Sequence, residues 1–520
     1  MRSLLLPLTI LSGGTSAMFY YPNPRIATLE HILVDNWGAY ASNFSAAITP
    51  CTNYVTEIGD PALNSGRTTA AQWLRVAFHD FVTADVQAGT GGIDASIGFE
   101  TGRAENIGSA FNDSFTFWQP FVNEYVPMAD LIALGTVMSV NLCGGKYIPF
   151  RPGRVDALAA DPTTGVPEPD TSLDETLAEF SRAGFNQVDA IGLTACGHTL
   201  GSVHHTGFPT VADNSTLSAT NTAGGINFDS TRAVFDPLVV HEYIDGTGQR
   251  GGTLVTSFNV SSQSEFRLYE SDGNATMQSL YDQGDGFIDT CVNLLGRMLD
   301  TVPEGVTLLE AIQPMLIKPI NVTWDVSEDN QLMLSGRIRV LNGETAQNNI
   351  HINIEFTNGY KESLVAESGS GSSAFGSTTL ATFLINRAKI AGSLSFTVLV
   401  SGAKKATFDI QDGIFIIPSM TTATGVETSV TVAVAKSLNI SALSAQVAVP
   451  MLQPLTLGPK INTLDVELES AEELLSVLGD YELWKGSIDI SQPTGAVNVR
   501  VISGGQTLDS LLVNSGVAGW

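Results

Sequence analysis

The chain is poor in basic residues: 25 Lys and Arg stand against 53 Asp and Glu in 520 residues, a formal net charge of -28. With no cationic surplus to neutralise phosphates, nucleic acid is excluded as a partner. Such a surface fits an extracellular protein, and the carboxylate repulsion would relax at acidic pH. Long apolar runs are missing too. The one near the start is too short to cross a bilayer, no later run spans it without polar interruption, and no tail fits a lipid anchor. A membrane partner is therefore not expected. Cysteine is scarce. Cys51, Cys143, Cys196 and Cys291 all precede residue 300, so the remaining chain must hold together by packing alone.

What is present near the start reads as an export signal over residues 1–17. Arg2 supplies the positive charge, Leu4 to Leu11 the short apolar core, and Thr15-Ser16-Ala17 the small residues for cleavage. Seven sequons, at Asn43, Asn112, Asn214, Asn259, Asn274, Asn321 and Asn439, agree with a secreted glycoprotein. An even number of cysteines in an exported chain predicts two disulfides, with three pairings open.

The length calls for more than one core, and the apolar periodicity divides the chain. From about residue 25 to 300 it is helical, as in Thr69 to Phe81, Ala129 to Leu142, Leu173 to Phe185 and Gln187 to Leu200. Gly- and Pro-rich loops join these helices. After about residue 313 the period becomes two: Ile352, Ile354 and Phe356; Leu394, Phe396 and Val398; Val430, Val432 and Val434; Val497, Val499 and Val501. That pattern predicts half-buried antiparallel strands. The expected architecture is multidomain: a mainly α-helical domain over 18–312, then a β-sandwich-like region over 313–520 that could be two small β-sandwich units. Pro314-Met315-Leu316 and Pro450-Met451-Leu452 would each precede strands of one such unit. Ser470 with Glu473 predicts a capped helix from Ala471 to Leu478, and Ser368 to Ser373 reads as a loop.

Two stretches carry chemistry. In Arg75-Val-Ala-Phe78-His79-Asp80 the Arg and His are four apart and share one helix face. An imidazole that takes and returns a proton, beside a permanent cation, suits heterolysis of a weak bond. In Asp189-Ala-Ile-Gly-Leu-Thr-Ala-Cys-Gly-His198, the small residues Gly192, Ala195 and Gly197 let a flat group approach a second imidazole.

Together with Gly91-Gly-Ile-Asp-Ala-Ser-Ile97, Glu100 and Asn106, these stretches strongly resemble the plant, fungal and bacterial haem peroxidase superfamily, most closely its secreted fungal class II. The resemblance covers roughly residues 20 to 310. It implies an enzyme that reduces hydrogen peroxide with a haem b cofactor. Arg75 and His79 would be the distal pair, with Phe78 on the distal face and Asn106, backed by Glu100, accepting a hydrogen bond from His79. His198 would be the axial iron ligand, with Asp272 behind it and Phe228 as the proximal aromatic. Two Ca²⁺ ions are implied, one held by Asp80, Gly92, Asp94 and Ser96, the other by Thr199, Asp229, Thr231, Val234 and Asp236. The resemblance also implies a Cys51–Cys143 bridge, leaving Cys196 with Cys291, and a structural ion-pair region around Arg154 and Asp156. Four cysteines depart from the eight common in the fungal class.

The positions of a manganese site hold Thr68, Gln72 and His204, with no carboxylate, so Mn²⁺ is not the expected donor. The position of a surface Trp radical holds Leu193. Trp37, Trp73 and Trp118 are expected to be packing anchors. Small phenolic or related aromatic donors are therefore expected. The competing reading is a secreted cell-wall or carbohydrate-binding protein on a catalytically weakened haem fold, its β-rich region binding polysaccharide.

Overall fold

The computed structural model describes residues 23–519 except 63–64, 343–349, 368–370, 402–403 and 472–477. The export signal expected at 1–17 lies outside the described residues, as does most of the helix expected from Ala471. Ser470 itself belongs to a short strand, Glu469–Ser470, and the Ala471 N–H continues its pairing by donating to the Leu483 carbonyl.

The helical part is built round Met128–Leu142, a helix buried on almost every side from Met128 to Val140. Its first two N–H groups, on Met128 and Ala129, donate to Asp156 at 3.0 and 2.8 Å. Asp130, one residue on, pairs with the buried Arg154 at 3.1 Å. Arg154 and Asp156 thus both secure this helix, but not by pairing with each other. Thr69–Val82 packs across it, and Gly135 lets the helices close: a Cβ there would stand 3.1 Å from the indoles of both Trp73 and Trp118. Those two tryptophans are fully buried anchors. Trp37 is not, being 41% exposed.

Two capping boxes start the next helices, Ser172 with Glu175 for Leu173–Arg182 and Asn186 with Asp189 for Gln187–Gly197. The second helix is shorter than the apolar pattern predicts. It ends at Gly197, so His198 is its C-cap residue. Disulfides Cys51–Cys143 and Cys196–Cys291 brace the fold, the latter tying that helix to Phe287–Asp300. The helical run ends at Asp300 and the first long strand begins at Ile317.

The β-rich part forms two sandwiches of antiparallel sheets. In the first, Ile317–Val326, Leu332–Leu341, Gly376–Asn386 and Ser372–Ser373 face Lys404–Asp409, Ser395–Val400, Ile352–Phe356 and Lys361–Leu364. Leu334, Ile338, Ile354, Ile385 and Val398 share its core. The second pairs a sheet around Glu427–Ala435 and Tyr481–Asp489 with one around Ser444–Met451 and Val497–Ser503, over a core of Val430, Val432, Val447 and Val499. Alternation is a guide only where one face meets water. Glu427–Ala435 is buried on both, because Ala433 on its other face packs into the first sandwich.

Three sequence readings change here. Leu394 is 75% exposed, and the alternation starts at Phe396. Met315 and Leu316 lead into a strand, whereas Met451 ends one, so the repeated phrase is not structurally equivalent. Ser372–Ser373, within the run read as a loop, forms an edge strand that Trp37 bridges; Ser368 to Ser370 lie outside the described residues.

Asp509 joins the two sheets of the second sandwich, accepting the Ile416 and Ser510 N–H groups at 2.8 Å each. Burial, opposed by these hydrogen bonds, pushes its carboxyl up to about 8. The folded chain then keeps a proton that the unfolded chain releases above the ordinary value of 3.8. Stability contributed here is present at acid pH and falls as pH rises toward about 8. Asp509→Asn is expected to flatten that decline in denaturation midpoints followed across this range. An unchanged slope would show that Asp509 does not titrate with folding.

Candidate active site

One cavity, of about 280 Å³, brings the two chemical stretches together. Arg75, Phe78 and His79 line it from Thr69–Val82; Leu193, Thr194, Gly197 and His198 line it from the other helix and its cap, with Phe228, Glu265 and Leu268. A Cβ on Gly197 would meet nothing within 4 Å, so this wall leaves room for a flat ligand.

On the first wall, His79 Nδ1 is 2.8 Å from Asn106 Oδ1. The Asn106 amide donates to the Glu100 main-chain carbonyl at 3.0 Å, so Glu100 supports it through its backbone. An amide oxygen can only accept, which makes Nδ1 the protonated nitrogen and leaves Nε2 as the base. Burial, with Arg75 adding to it against the Asn106 bond, lowers His79 to about 3, so the ring is neutral. The Arg75 guanidinium donates to the Ile107 carbonyl at 2.9 Å and lies 5.0 Å from the Phe111 ring centroid. Burial and the nearby Arg67 bring it down to about 10, and it stays charged at neutral pH.

On the second wall the His198 ring stacks on Phe228, centroids 3.9 Å apart and planes within 6°. The carboxylate at His198 is Glu265, not Asp272. Glu265 Oε1 lies 2.7 Å from Nδ1, in contact but not aligned for a hydrogen bond. Asp272 instead accepts from the Thr276 N–H and hydroxyl at 2.9 and 2.5 Å, starting the next helix, while its other oxygen is buried without a partner. The reason is geometric. Glu265 opens the short helix Ser264–Tyr269, which passes under His198, and Asp272 lies past its end.

The two residue sets expected to hold cations differ from each other. Asp80 accepts from the N–H groups of Asp94, Ala95 and Ile97 and from the Ser96 hydroxyl. Asp94 caps the Ser96 N–H, and Gly92 at φ +107 abuts the Thr301 carbonyl. Asp161, which sequence reading missed, joins this group by accepting from Thr83 at 2.6 Å. Burial, then mutual repulsion, raises Asp80 well above the ordinary range and Asp94 to about 7. A protonated carboxyl or a bound cation would each relieve this repulsion. In the second set Thr231 bonds both Asp229 and Asp236, Thr199 turns to the Cys196 carbonyl, and the Val234 N–H closes a turn onto Thr231. Asp229 Oδ2 is buried with no partner, and burial raises this carboxyl to about 7. An orphaned buried carboxylate oxygen fits a ligand for a hard cation. Among the described residues, no group of three or more His, Cys, Asp or Glu side chains is close enough to hold a metal as it stands.

Thr68, Gln72 and His204 all line the cavity, and burial, reinforced by Arg67, lowers His204 to about 4. Leu193 is buried in the cavity wall rather than on the surface. Five sequon asparagines, at 43, 112, 214, 321 and 439, are exposed; Asn259 and Asn274 are half-buried.

Two histidines from different helices line one cavity, one with an arginine beside it and the other with a carboxylate, a lining that fits a planar group. A family model described as Peroxidase matches residues 55–272. L-ascorbate peroxidase 5 of Arabidopsis thaliana is 34% identical over 197 residues, 35% of this chain and 70% of that protein. Ligninase H2 of Phanerodontia chrysosporium is 26% identical over 278 residues, 48% of this chain and 70% of its own. The chain belongs to the plant, fungal and bacterial peroxidase superfamily. A WSC domain-containing protein of Arthroderma benhamiae is 38% identical over 318 residues, 61% of this chain; the match spans only 42% of that relative's length.

Proposed function

We propose that the protein is a secreted peroxidase that binds haem b between His79 and His198 and reduces hydrogen peroxide with electrons from small phenolic or related aromatic donors. The observation that carries this reading is the pair of histidines on one cavity, with Arg75 beside the first. When bound, haem would supply the iron that receives peroxide and the store of two oxidising equivalents.

The chain's own groups do the rest. His79, neutral and oriented by Asn106, takes the proton from one peroxide oxygen through Nε2 and returns it to the other. Arg75 stabilises the negative charge that develops on the departing oxygen. His198 would hold the haem iron, its ring oriented by Phe228 and made more electron-donating by the Glu265 carboxylate. Ca²⁺ would relieve the repulsion among Asp80 and Asp94, with Ser96 and the Gly92 carbonyl. A second ion would satisfy Asp229, with Thr199, Thr231, Asp236 and the Val234 carbonyl. Each set adjoins the residue following or facing a cavity histidine, so the ions would stiffen both walls.

Export is supported by the two disulfides and the exposed sequons. Polysaccharide binding by the β-rich region has weaker support. Sugar rings stack on exposed aromatic faces, and the exposed large hydrophobic residues described after 313 are leucines and valines.

The test is full-length protein expressed with haem supplied, then assayed with phenols, aromatic amines, Mn²⁺ and a high-potential dye. A Soret band and peroxide-dependent turnover of phenols, with little of Mn²⁺, are expected. A chain that takes up no haem would overturn the function; strong Mn²⁺ oxidation would overturn the donor assignment.

A further inference from the structure

We infer that Tyr54 is a redox side chain, oxidised by coupled loss of an electron and a proton, with Asp113 as proton acceptor, and that it serves phenolic donors too large for the cavity. This rests on the peroxidase reading, which supplies the oxidising equivalents. The Tyr54 hydroxyl donates to Asp113 Oδ2 at 2.5 Å. The same oxygen accepts from the Gln72 side-chain amide at 3.2 Å, and Gln72 lines the cavity. On the other side stands Arg67, also in the cavity wall, 3.4 Å from the phenol oxygen and with its guanidinium 5.9 Å from the ring centroid. Tyr54 is half-buried, so one side of this network meets the cavity wall and the other reaches toward solvent.

A phenol that loses an electron becomes strongly acidic. Without an acceptor it must remain a ring cation, which the neighbouring Arg67 charge opposes. With Asp113 across a short hydrogen bond the proton transfers as the electron leaves, and the product is a neutral radical that Arg67 does not penalise. Among the described residues, other aromatic side chains lack this combination. The Tyr269 hydroxyl and the indole N–H groups of Trp73 and Trp118 are buried without partners, and Tyr243 donates to the amide oxygen of Asn274. Tyr360 has a carboxylate in Glu362 and Tyr281 one in Asp245, but neither pair is joined to the cavity wall as Gln72 and Arg67 join Tyr54 and Asp113.

In each turn one electron leaves the Tyr54 ring for one oxidising equivalent left by peroxide reduction, and the phenolic proton moves to Asp113. A surface-bound phenol then returns an electron to Tyr54, Asp113 returns the proton, and the donor's own hydroxyl proton passes to solvent. Two turns consume one peroxide, yielding two phenoxyl radicals and two waters, with the two released protons balancing those taken up.

The test uses haem-loaded full-length protein and its Tyr54→Phe and Asp113→Asn variants, frozen after one equivalent of peroxide without donor. Electron paramagnetic resonance is expected to show a tyrosyl signal that Tyr54→Phe abolishes and Asp113→Asn diminishes. A nitroso spin trap followed by peptide mapping is expected to place the adduct on Tyr54. The ratio of turnover on phenol-modified dextran to turnover on guaiacol is expected to collapse in Tyr54→Phe. Peroxide consumption with the radical signal, adduct and ratio unchanged by Tyr54→Phe would overturn the proposal alone. No peroxide consumption by the unsubstituted protein would overturn the peroxidase reading and this inference with it.

Discussion

His79→Ala is expected to retain haem while its rate of peroxide reduction falls by about 10²–10⁴-fold, the range for loss of a positioned acid–base group. The loss follows from the protonation state of the imidazole. Asn106 at 2.8 Å fixes the proton on Nδ1, and burial beside Arg75 keeps the ring neutral down to about pH 3. As a base it is fully available at neutral and mildly acidic pH. It is lost only when acid protonates Nε2, so the peroxide rate of the unsubstituted protein should hold steady from neutral pH and fall toward about 3. Asn106→Leu should lower the rate less, since it removes orientation but not the base. Stopped-flow mixing with peroxide, followed at the Soret band, reads both. A His79→Ala rate within a few-fold of the unsubstituted protein would show that another group carries the proton.

Glu30→Ala is expected to destabilise the whole chain by about 3–5 kcal/mol, the cost of breaking a buried ion pair from one side. Glu30, on the first described helix Pro24–Val34, is 1% exposed and bonds Lys318 and Arg339, both from the first sandwich. Arg339, wholly buried, also reaches Asp35 at 3.1 Å and the Met315 carbonyl at 2.9 Å. Burial alone would push the Glu30 carboxyl up, but Lys318 and Arg339 outweigh it and hold it below the ordinary carboxylate range. Removing Glu30 leaves two buried cations facing Asp35. Chemical denaturation of the full chain measures the loss. Adding Lys318→Met and Arg339→Met should recover part of it, because a packed apolar replacement avoids the desolvation cost. A loss below about 1 kcal/mol, typical of exposed pairs, would mean that water reaches the cluster.

That cluster ties the β-rich part to the helical part through buried ion pairs. A second seam supports it: Glu124 pairs with Arg500 at 3.0 Å, and Gln119 donates to the Leu457 carbonyl at 2.7 Å. Neither seam was legible beforehand. Residues 30 and 339 carry no motif, and an isolated Arg in a strand reads as a solvated position until a partner from elsewhere buries it.

The candidate site divides along the same line. Arg75 and His79 could be read because they lie one helix turn apart, whereas Asn106 came from the family resemblance alone. Glu265 could not. The family resemblance pointed to Asp272, and which carboxylate meets His198 depends on where a six-residue helix runs and stops. Asp161 and Asp113 were missed for a related reason. Each acquires its role through partners at least 41 residues away, Thr83 for the first, Gln72 and Tyr54 for the second.

The amino-acid order by itself determined the change from helical to alternating patterning, the helix faces that carry Arg75 and His79, and the small residues beside His198. Local geometry decides these, since periodicity and side-chain volume act within a few turns of the chain. Only the tertiary structure decided which carboxylate stands beside His198, that both histidines share one cavity, and that Glu30 would be buried against Arg339. Those outcomes depend on long-range packing, in which burial sets the strength of each charge and distant segments supply its partner.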